Sequence, residues 1–265
     1  MSRGSVLAIS VLAISELTLL AACASEATPR AAVSDFVPSD GMQEVRYLVD
    51  GVERRATLFA PPGRDPHAKL PLVVYLHGMG ERGDAQEHVR HGLGKAIAAA
   101  PERFRGFVLM PQCPKDRLWV AADQAWARGL ADGSSHIDAA IDWAFAKLPV
   151  DRSRVTLTGL SMGGFGTLIA GARRAADLSA LCAICGGGRV EDAAVLATRP
   201  VWLVHGDADR TVPVQQSRRI ADAIRAVRAD APLRLTEYPG VGHNSWDRAY
   251  ADPALIEFLF SGELR

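Results

Sequence analysis

The 265-residue sequence has no excess of charge of either sign, with Lys plus Arg and Asp plus Glu at 30 each. No run of like charge exceeds a few residues. The electrostatic footprint of a nucleic-acid-binding protein is therefore missing, and a small molecule or a neutral surface is the expected partner. There is also no internal repeat, no low-complexity block, no dinucleotide fingerprint and no His/Cys cluster spaced for zinc, so no cofactor or metal is expected. Cysteine is scarce, at four. Cys182 and Cys185 have C-x-x-C spacing, but Leu181, Ala183 and Ile184 around them read as a buried strand. Three extended steps span about 10 Å, beyond the roughly 7 Å that a disulfide bridges, so these two and Cys113 are expected in the core as thiols.

What is present begins with a leader. Arg3 precedes an apolar run from Val6 to Ala22, the layout of a secretory signal and too short for a membrane span. Leu20-Ala21-Ala22-Cys23 resembles the lipobox of bacterial lipoproteins, which implies lipidation of Cys23, and Ala24 after it implies the outer membrane. Ala22-Cys23-Ala24 also fits a plain small-x-small cleavage site, and Glu16 departs from both patterns. The expected organisation is a signal peptide over 1–22, a tether over 23–40 and a single catalytic domain over 41–265. The mature protein is expected to be exported, either anchored by lipid or free in the periplasm or medium.

After the tether the chain alternates between strand and helix signals. "EVRYLVD" (44–50) and "RRATLFA" (54–60) flank a turn at Asp50-Gly51, the mark of an antiparallel hairpin. "LPLVVYLHG" (70–78) is almost continuously apolar, as expected of a strand covered on both faces. A helix follows at 93–100, a strand at 106–113 and an amphipathic helix at 134–148. In that helix Ile137, Ile141, Phe145 and Leu148 share a face, and Ser135 with Asp138 suggests a capping box. Further strands are read at "RVTLTG", "LSALCAIC", "RPVWLVHG" and "LRLTEYP". Helices are read from Met162 to Ala175, from Glu191, from Val214 to Ala229 and from Pro253 to Phe260. This alternation predicts an α/β fold with a mostly parallel sheet between two helical layers.

Gly159-Leu160-Ser161-Met162-Gly163 is a G-x-S-x-G between a strand and a helix, the context of a nucleophile elbow, where only glycine leaves room around the strained serine. A serine hydroxyl is a poor nucleophile near neutral pH, so a base must take its proton and an acid must orient that base. On this topology the order is serine, acid, histidine. Asp207 and Asp209 follow the strand "PVWLVHG", and His243 follows the last strand. Of the other histidines, His88 and His91 read as solvated, while His77 and His205 sit in "HG" at strand ends and read as turn-stabilising. The backbone N–H of Met162, next after the nucleophile, is placed to donate to an oxyanion.

"LHGMG" (76–80), "PQCP" (111–114), "GLSMGG" (159–164), "HGDADRTVP" (205–213) and "GHNSW" (242–246) together resemble α/β-hydrolase serine esterases of the phospholipase/carboxylesterase and dienelactone-hydrolase-like branch, including polyhydroxybutyrate-depolymerase-like enzymes. The resemblance covers about residues 44 to 261. It implies that Asp209 is the acid, with Asp207 serving the loop, and that the Met79 N–H is the second oxyanion donor. Dienelactone hydrolases proper carry a cysteine where this chain has Ser161, so that activity is not implied.

Only about fifteen residues separate "CAIC" from "RPVWLV", too few for a large lid. An open site favours short-chain, aryl or polymer-borne carboxylic esters. Trp119 and Trp246 are candidate walls for an aromatic or sugar group, and Trp126 a weaker one. Two alternatives stand beside the esterase: a prolyl-oligopeptidase-like peptidase, and a non-catalytic lipid-anchored binding protein on the same scaffold.

Overall fold

Asp50 and Gly51 both have positive φ, 50° and 79°, the conformation of a two-residue hairpin turn. They fold β1 (Gly41–Val49) back onto β2 (Val52–Ala60), with Val49 opposite Val52. The computed structural model describes Met1 and residues 36–83, 87–121 and 127–264. The leader, Cys23, the tether up to residue 35 and Trp126 lie outside the described residues. Val33–Arg265 clusters as one compact unit, and no helix among the described residues is long and apolar enough to cross a membrane.

The chain continues through β3 (Leu70–Leu76), α1 (Gly92–Ala99), β4 (Phe107–Pro111), two short strands β5 (Arg117–Leu118) and β6 (Ala131–Asp132), α2 (Ser134–Lys147), β7 (Val150–Leu160) and α3 (Met162–Arg173). It closes with β8 (Ala180–Ile184), α4 (Ala193–Leu196), β9 (Val201–Gly206), α5 (Gln215–Val227), β10 (Leu233–Tyr238), α6 (Trp246–Ala251) and α7 (Pro253–Ser261). Eight strands form one sheet in the order β1-β2-β4-β3-β7-β8-β9-β10. In this sheet β2 alone runs opposite to the other seven strands. The expected mostly parallel α/β sheet with an antiparallel N-terminal edge is thus what forms.

Side chains alternate across a strand, so one apolar run feeds two cores. Leu72, Val74 and Leu76 of β3 pack into the layer of α2, α3 and α5, while Val73 and Tyr75 pack into the layer of α1, α6 and α7. The run reads as continuously apolar because neither face of β3 meets water. In α2 the buried stripe is Ile137, Ala140, Ile141 and Ala144, closed by Leu148. Phe145 sits at its edge, half-buried under the Arg152 guanidinium at 4.2 Å.

Two local expectations change. The capping box does not form: α2 starts at Ser134, whose N–H donates to Asp132 Oδ1 at 2.8 Å, while Asp138 pairs with Arg173 at 2.7 Å. A helix also intervenes between the His243 loop and the last helix. At six residues, α6 is too short to show a helical period and is held by burial of Ala249 and Tyr250.

Candidate active site

The central strand β7 ends in a tight turn that lifts Ser161 at φ 53°, ψ −117°, a backbone region costing about 1–3 kcal/mol for a non-glycine residue. The turn is held by Ser161 N–H donating to Ile184 O at 2.9 Å and by Phe165 N–H donating to Ser161 O at 3.1 Å. A methyl group on Gly163 would lie 1.9 Å from Leu76 O, one on Gly159 2.4 Å from Gly163 O, and one on Gly164 2.7 Å from Ile184 O. The glycines are a steric requirement of packing α3 against β3 and β8.

Ser161 Oγ lies 2.9 Å from His243 Nε2, and His243 Nδ1 lies 2.7 Å from Asp209 Oδ2. The carboxylate accepts at Nδ1, so the proton sits there and Nε2 is left to accept from the serine hydroxyl. Asp209 is fully buried at its side chain. Its Oδ1 accepts from the N–H groups of Thr211 at 2.8 Å and Val212 at 2.9 Å. Asp207 stands apart: its Oδ1 accepts from Gly240 N–H at 2.7 Å, tying the loop after β9 to the loop that carries His243. Three strand ends, β7, β9 and β10, thus deliver one hydrogen-bonded chain at the carboxyl edge of the sheet, where open α/β sheets bind ligands. Chemically, this chain can take a proton from the serine and return it to a leaving group.

His205 takes part in a way its turn position did not reveal. Its Nε2 faces two acceptors, Val212 O at 2.9 Å and Asp209 Oδ2 at 3.3 Å, while Nδ1 faces the Ser217 hydroxyl at 2.7 Å. The partners assign the proton to Nε2. Burial lowers the pKa of His205, so the ring is neutral and its contact with Asp209 is a hydrogen bond, not an ion pair.

A cavity of about 310 Å³ opens over Ser161 and is lined by Met79, Glu81, Met162, His243 and Trp246 among others. Met79 and Met162 therefore both border the space above the serine, with Met162 at the first turn of α3, where backbone N–H groups and the helix dipole favour negative charge. Trp246 meets the His243 ring edge-on, at 5.4 Å and 90°. Trp119 is corrected. It is fully buried, and its Nε1–H donates to His77 O at 2.8 Å. Instead of touching substrate it holds the strand end from which the Met79 loop springs.

That loop has further supports. His77 Nδ1–H donates to Gly78 O at 2.7 Å, Cys113 N–H donates to His77 Nε2 at 3.1 Å, and Gln112 Nε2 donates to Glu81 O at 2.6 Å. Burial pushes His77 down to about 3. His88, expected in solvent, is fully buried and stacks on His77 with ring centres 5.7 Å apart, and burial takes it down to about 4. The reason is the turn over Glu87–Arg90, which folds the ring inward. His91 is exposed.

Cys113, Cys182 and Cys185 are free buried thiols. Burial raises all three, Cys113 and Cys182 to about 12. Cys185, Asp209 and His243 bring ligand-type atoms within 4.8 Å of one another. The aspartate and histidine atoms are already engaged in the chain to Ser161, and the raised Cys185 thiol works against thiolate ligation.

The family described as Phospholipase/Carboxylesterase matches residues 61–259. A solved thermostable esterase superposes with a TM-score of 0.73 at 31% identity, over 83% of this chain and 62% of that one. A ferulic acid esterase from Anaeromyces mucronatus superposes with a TM-score of 0.63 at 15% identity, over 86% of this chain and 96% of that one, a likeness of fold alone. A probable dipeptidyl-aminopeptidase B of Podospora anserina is 32% identical over 128 residues, which are 45% of this chain and 13% of that protein. The chain thus spans less than two thirds of the first esterase and a small part of the peptidase.

Proposed function

Because the chain belongs to the phospholipase/carboxylesterase family of α/β-hydrolases, we propose that it is a serine carboxylesterase acting through Ser161, His243 and Asp209. One observation carries the reading: the unbroken chain from Asp209 Oδ2 through His243 to Ser161 Oγ, at 2.7 and 2.9 Å, beneath an accessible cavity. His243 takes the Ser161 proton as Oγ attacks the ester carbonyl, Asp209 holds the imidazolium, and the alcohol leaves with that proton. Water, deprotonated by the same imidazole, then releases the acid. The N–H groups of Met79 and Met162 are the oxyanion donors, each contributing about 3 kcal/mol.

The preferred substrates are short-chain, aryl or polymer-borne esters. Between β8 and β9 the chain makes only a single turn and the four-residue α4, which supports an uncapped site, and Trp246 supplies an apolar wall. We further propose an exported protein anchored through Cys23; acyl mass on Cys23 in the membrane fraction tests this. The test of activity is a p-nitrophenyl ester series from acetate to palmitate, with Ser161→Ala beside it. Turnover that peaks at short chains and disappears in the variant is the expected result.

The likeness to a dipeptidyl-aminopeptidase over 128 residues favours a second reading as a peptidase. Dipeptidyl p-nitroanilides separate the two: turnover of these, with none on esters, replaces the esterase.

A further inference from the structure

We propose that Tyr75 and Glu81 form a buried positioning pair for the oxyanion loop: the Tyr75 hydroxyl, inside the fold, holds the Glu81 carboxyl group and through it the loop that carries the Met79 N–H. The inference rests on the carboxylesterase reading of the Ser161 site, and it assigns neither residue a contact with substrate. Tyr75, near the end of β3, is fully buried in the layer of α1, α6 and α7, where its ring meets that of Tyr250 edge-on at 5.8 Å. It is not among the residues lining the cavity over Ser161. Burial raises Tyr75 well above its usual value, so the hydroxyl keeps its proton and acts as a donor.

Glu81 Oε2 is turned inward as well, and among the described residues neither it nor the Tyr75 hydroxyl is taken by another hydrogen bond. Leu160, next to the nucleophile, joins the two places. A methyl group on Gly78 would lie 2.8 Å from Leu160 Cδ1 and 2.9 Å from Glu81 Oε2, while one on Gly92 would lie 2.7 Å from Leu160 Cδ2 and would strike the Tyr75 hydroxyl. The two oxygens thus border the two methyl groups of one leucine, and the Glu81 carboxyl group acts electrostatically on Tyr75. A buried donor and a buried acceptor are each costly without a partner, and here each supplies what the other lacks. The carboxyl group packs over Gly78, against the peptide that ends in the Met79 N–H. The same loop is fixed at its main chain, with Gln112 Nε2 donating to Glu81 O at 2.6 Å and Arg82 Nε donating to Met79 O at 3.0 Å. Tyr75 adds a hold on the side chain. An oxyanion donor stabilises the transition state only where it is held in place beforehand, so loosening this hold lowers the rate without touching the substrate.

The test uses the full-length protein in detergent, with p-nitrophenyl butanoate as substrate and active sites counted by stoichiometric reaction with diethyl p-nitrophenyl phosphate, so that unfolded molecules do not enter the rate. Tyr75→Phe, which deletes one oxygen in the core, and Glu81→Leu are each expected to lower kcat per titrated site by about tenfold or more with KM little changed. The acyl-matched ketone 1,1,1-trifluoropentan-2-one, whose adduct with Ser161 places an oxyanion between the two donors, is expected to bind more weakly by the same factor. Tyr75→Phe with Glu81→Leu loses no more than either alone, because both remove one contact. Glu81→Gln, which still accepts from the Tyr75 hydroxyl, stays within about threefold of the wild type. An unchanged kcat per site in Tyr75→Phe and Glu81→Leu, losses that multiply in the double variant, a change confined to KM, or a Glu81→Gln as slow as Glu81→Leu overturns the inference while leaving the esterase intact. No turnover of any ester by the wild type overturns the esterase reading itself.

Discussion

His205 Nε2 lies 3.3 Å from Asp209 Oδ2, the same oxygen that His243 Nδ1 approaches at 2.7 Å. The acid is therefore held between two imidazoles, one facing the cavity and one in the core. Replacing His205 with Phe keeps the ring volume but strips partners from Val212 O, Ser217 and Asp209. A loss of about 1–3 kcal/mol of stability is expected, together with reduced kcat. An unchanged urea midpoint and kcat would show that His205 only fills space.

The two aspartates after β9 are separable by mutation. Asp209→Asn is expected to lower kcat by about 10⁴ with the fold retained, because the His243 tautomer is no longer enforced. Asp207→Asn touches only the Gly240 N–H contact and is expected to cost far less. Comparable losses from both variants would contradict the assignment of the acid.

Gly163→Ala would place a methyl group 1.9 Å from Leu76 O, whereas Gly80→Ala, in the neighbouring loop, meets nothing within 4 Å. The first is expected to cost several kcal/mol or prevent folding, since backbone on both sides leaves nothing to yield. The second is expected to melt within a degree or two of the wild type. Thermal unfolding of the pair decides whether the crowding is as tight as the geometry states.

Trp119→Phe removes the Nε1–H donor to His77 O and leaves a buried carbonyl unpaired. A destabilisation of about 1–3 kcal/mol is expected, with a fall in kcat larger than any change in KM, because Trp119 supports the Met79 loop and does not line the cavity. A KM effect alone would return Trp119 to the substrate wall.

His77, His88, His136 and His205 are all buried, and burial lowers each of them, His77 to about 3 and His88 to about 4. In the unfolded chain the same rings titrate near 6.5. Above that pH neither state is protonated and stability is full. As pH falls below it, the unfolded chain takes up protons that the folded one refuses until about 4 or about 3, so stability drops. His77 and His88 each contribute up to about 1.4 kcal/mol per pH unit across that window. Urea unfolding at pH 7, 6 and 5 measures the slope, and His88→Gln should reduce it by about one proton. A flat profile would mean that these rings titrate normally in the folded state.

Much of this was legible in the sequence because it is local. The G-x-S-x-G spacing imposes its own turn, Asp50-Gly51 its own hairpin, and the alternation of strands and helices leaves little choice of sheet. His243 could be picked from seven histidines by its order along the chain. Glu81, two residues past Met79, was visible as a charged residue in the loop, but nothing in the sequence says that its carboxyl group turns into the fold toward Tyr75.

What only the tertiary structure decided are contacts between distant segments. Trp119 reaches the His77 carbonyl across 42 positions and Gln112 reaches the His77 ring across 35. Neither leaves a periodicity to read, so a tryptophan in a polar loop looks like a substrate wall and a histidine in "EHVR" looks solvated. The sequence by itself determined the fold class, the order serine, aspartate, histidine, and the glycines that make the turn possible, because those follow from backbone sterics over a few residues. Which ring supports the acid, which tryptophan lines the cavity and which way the Glu81 carboxyl group turns depended on packing, since burial is a property of what the rest of the chain places around a side chain.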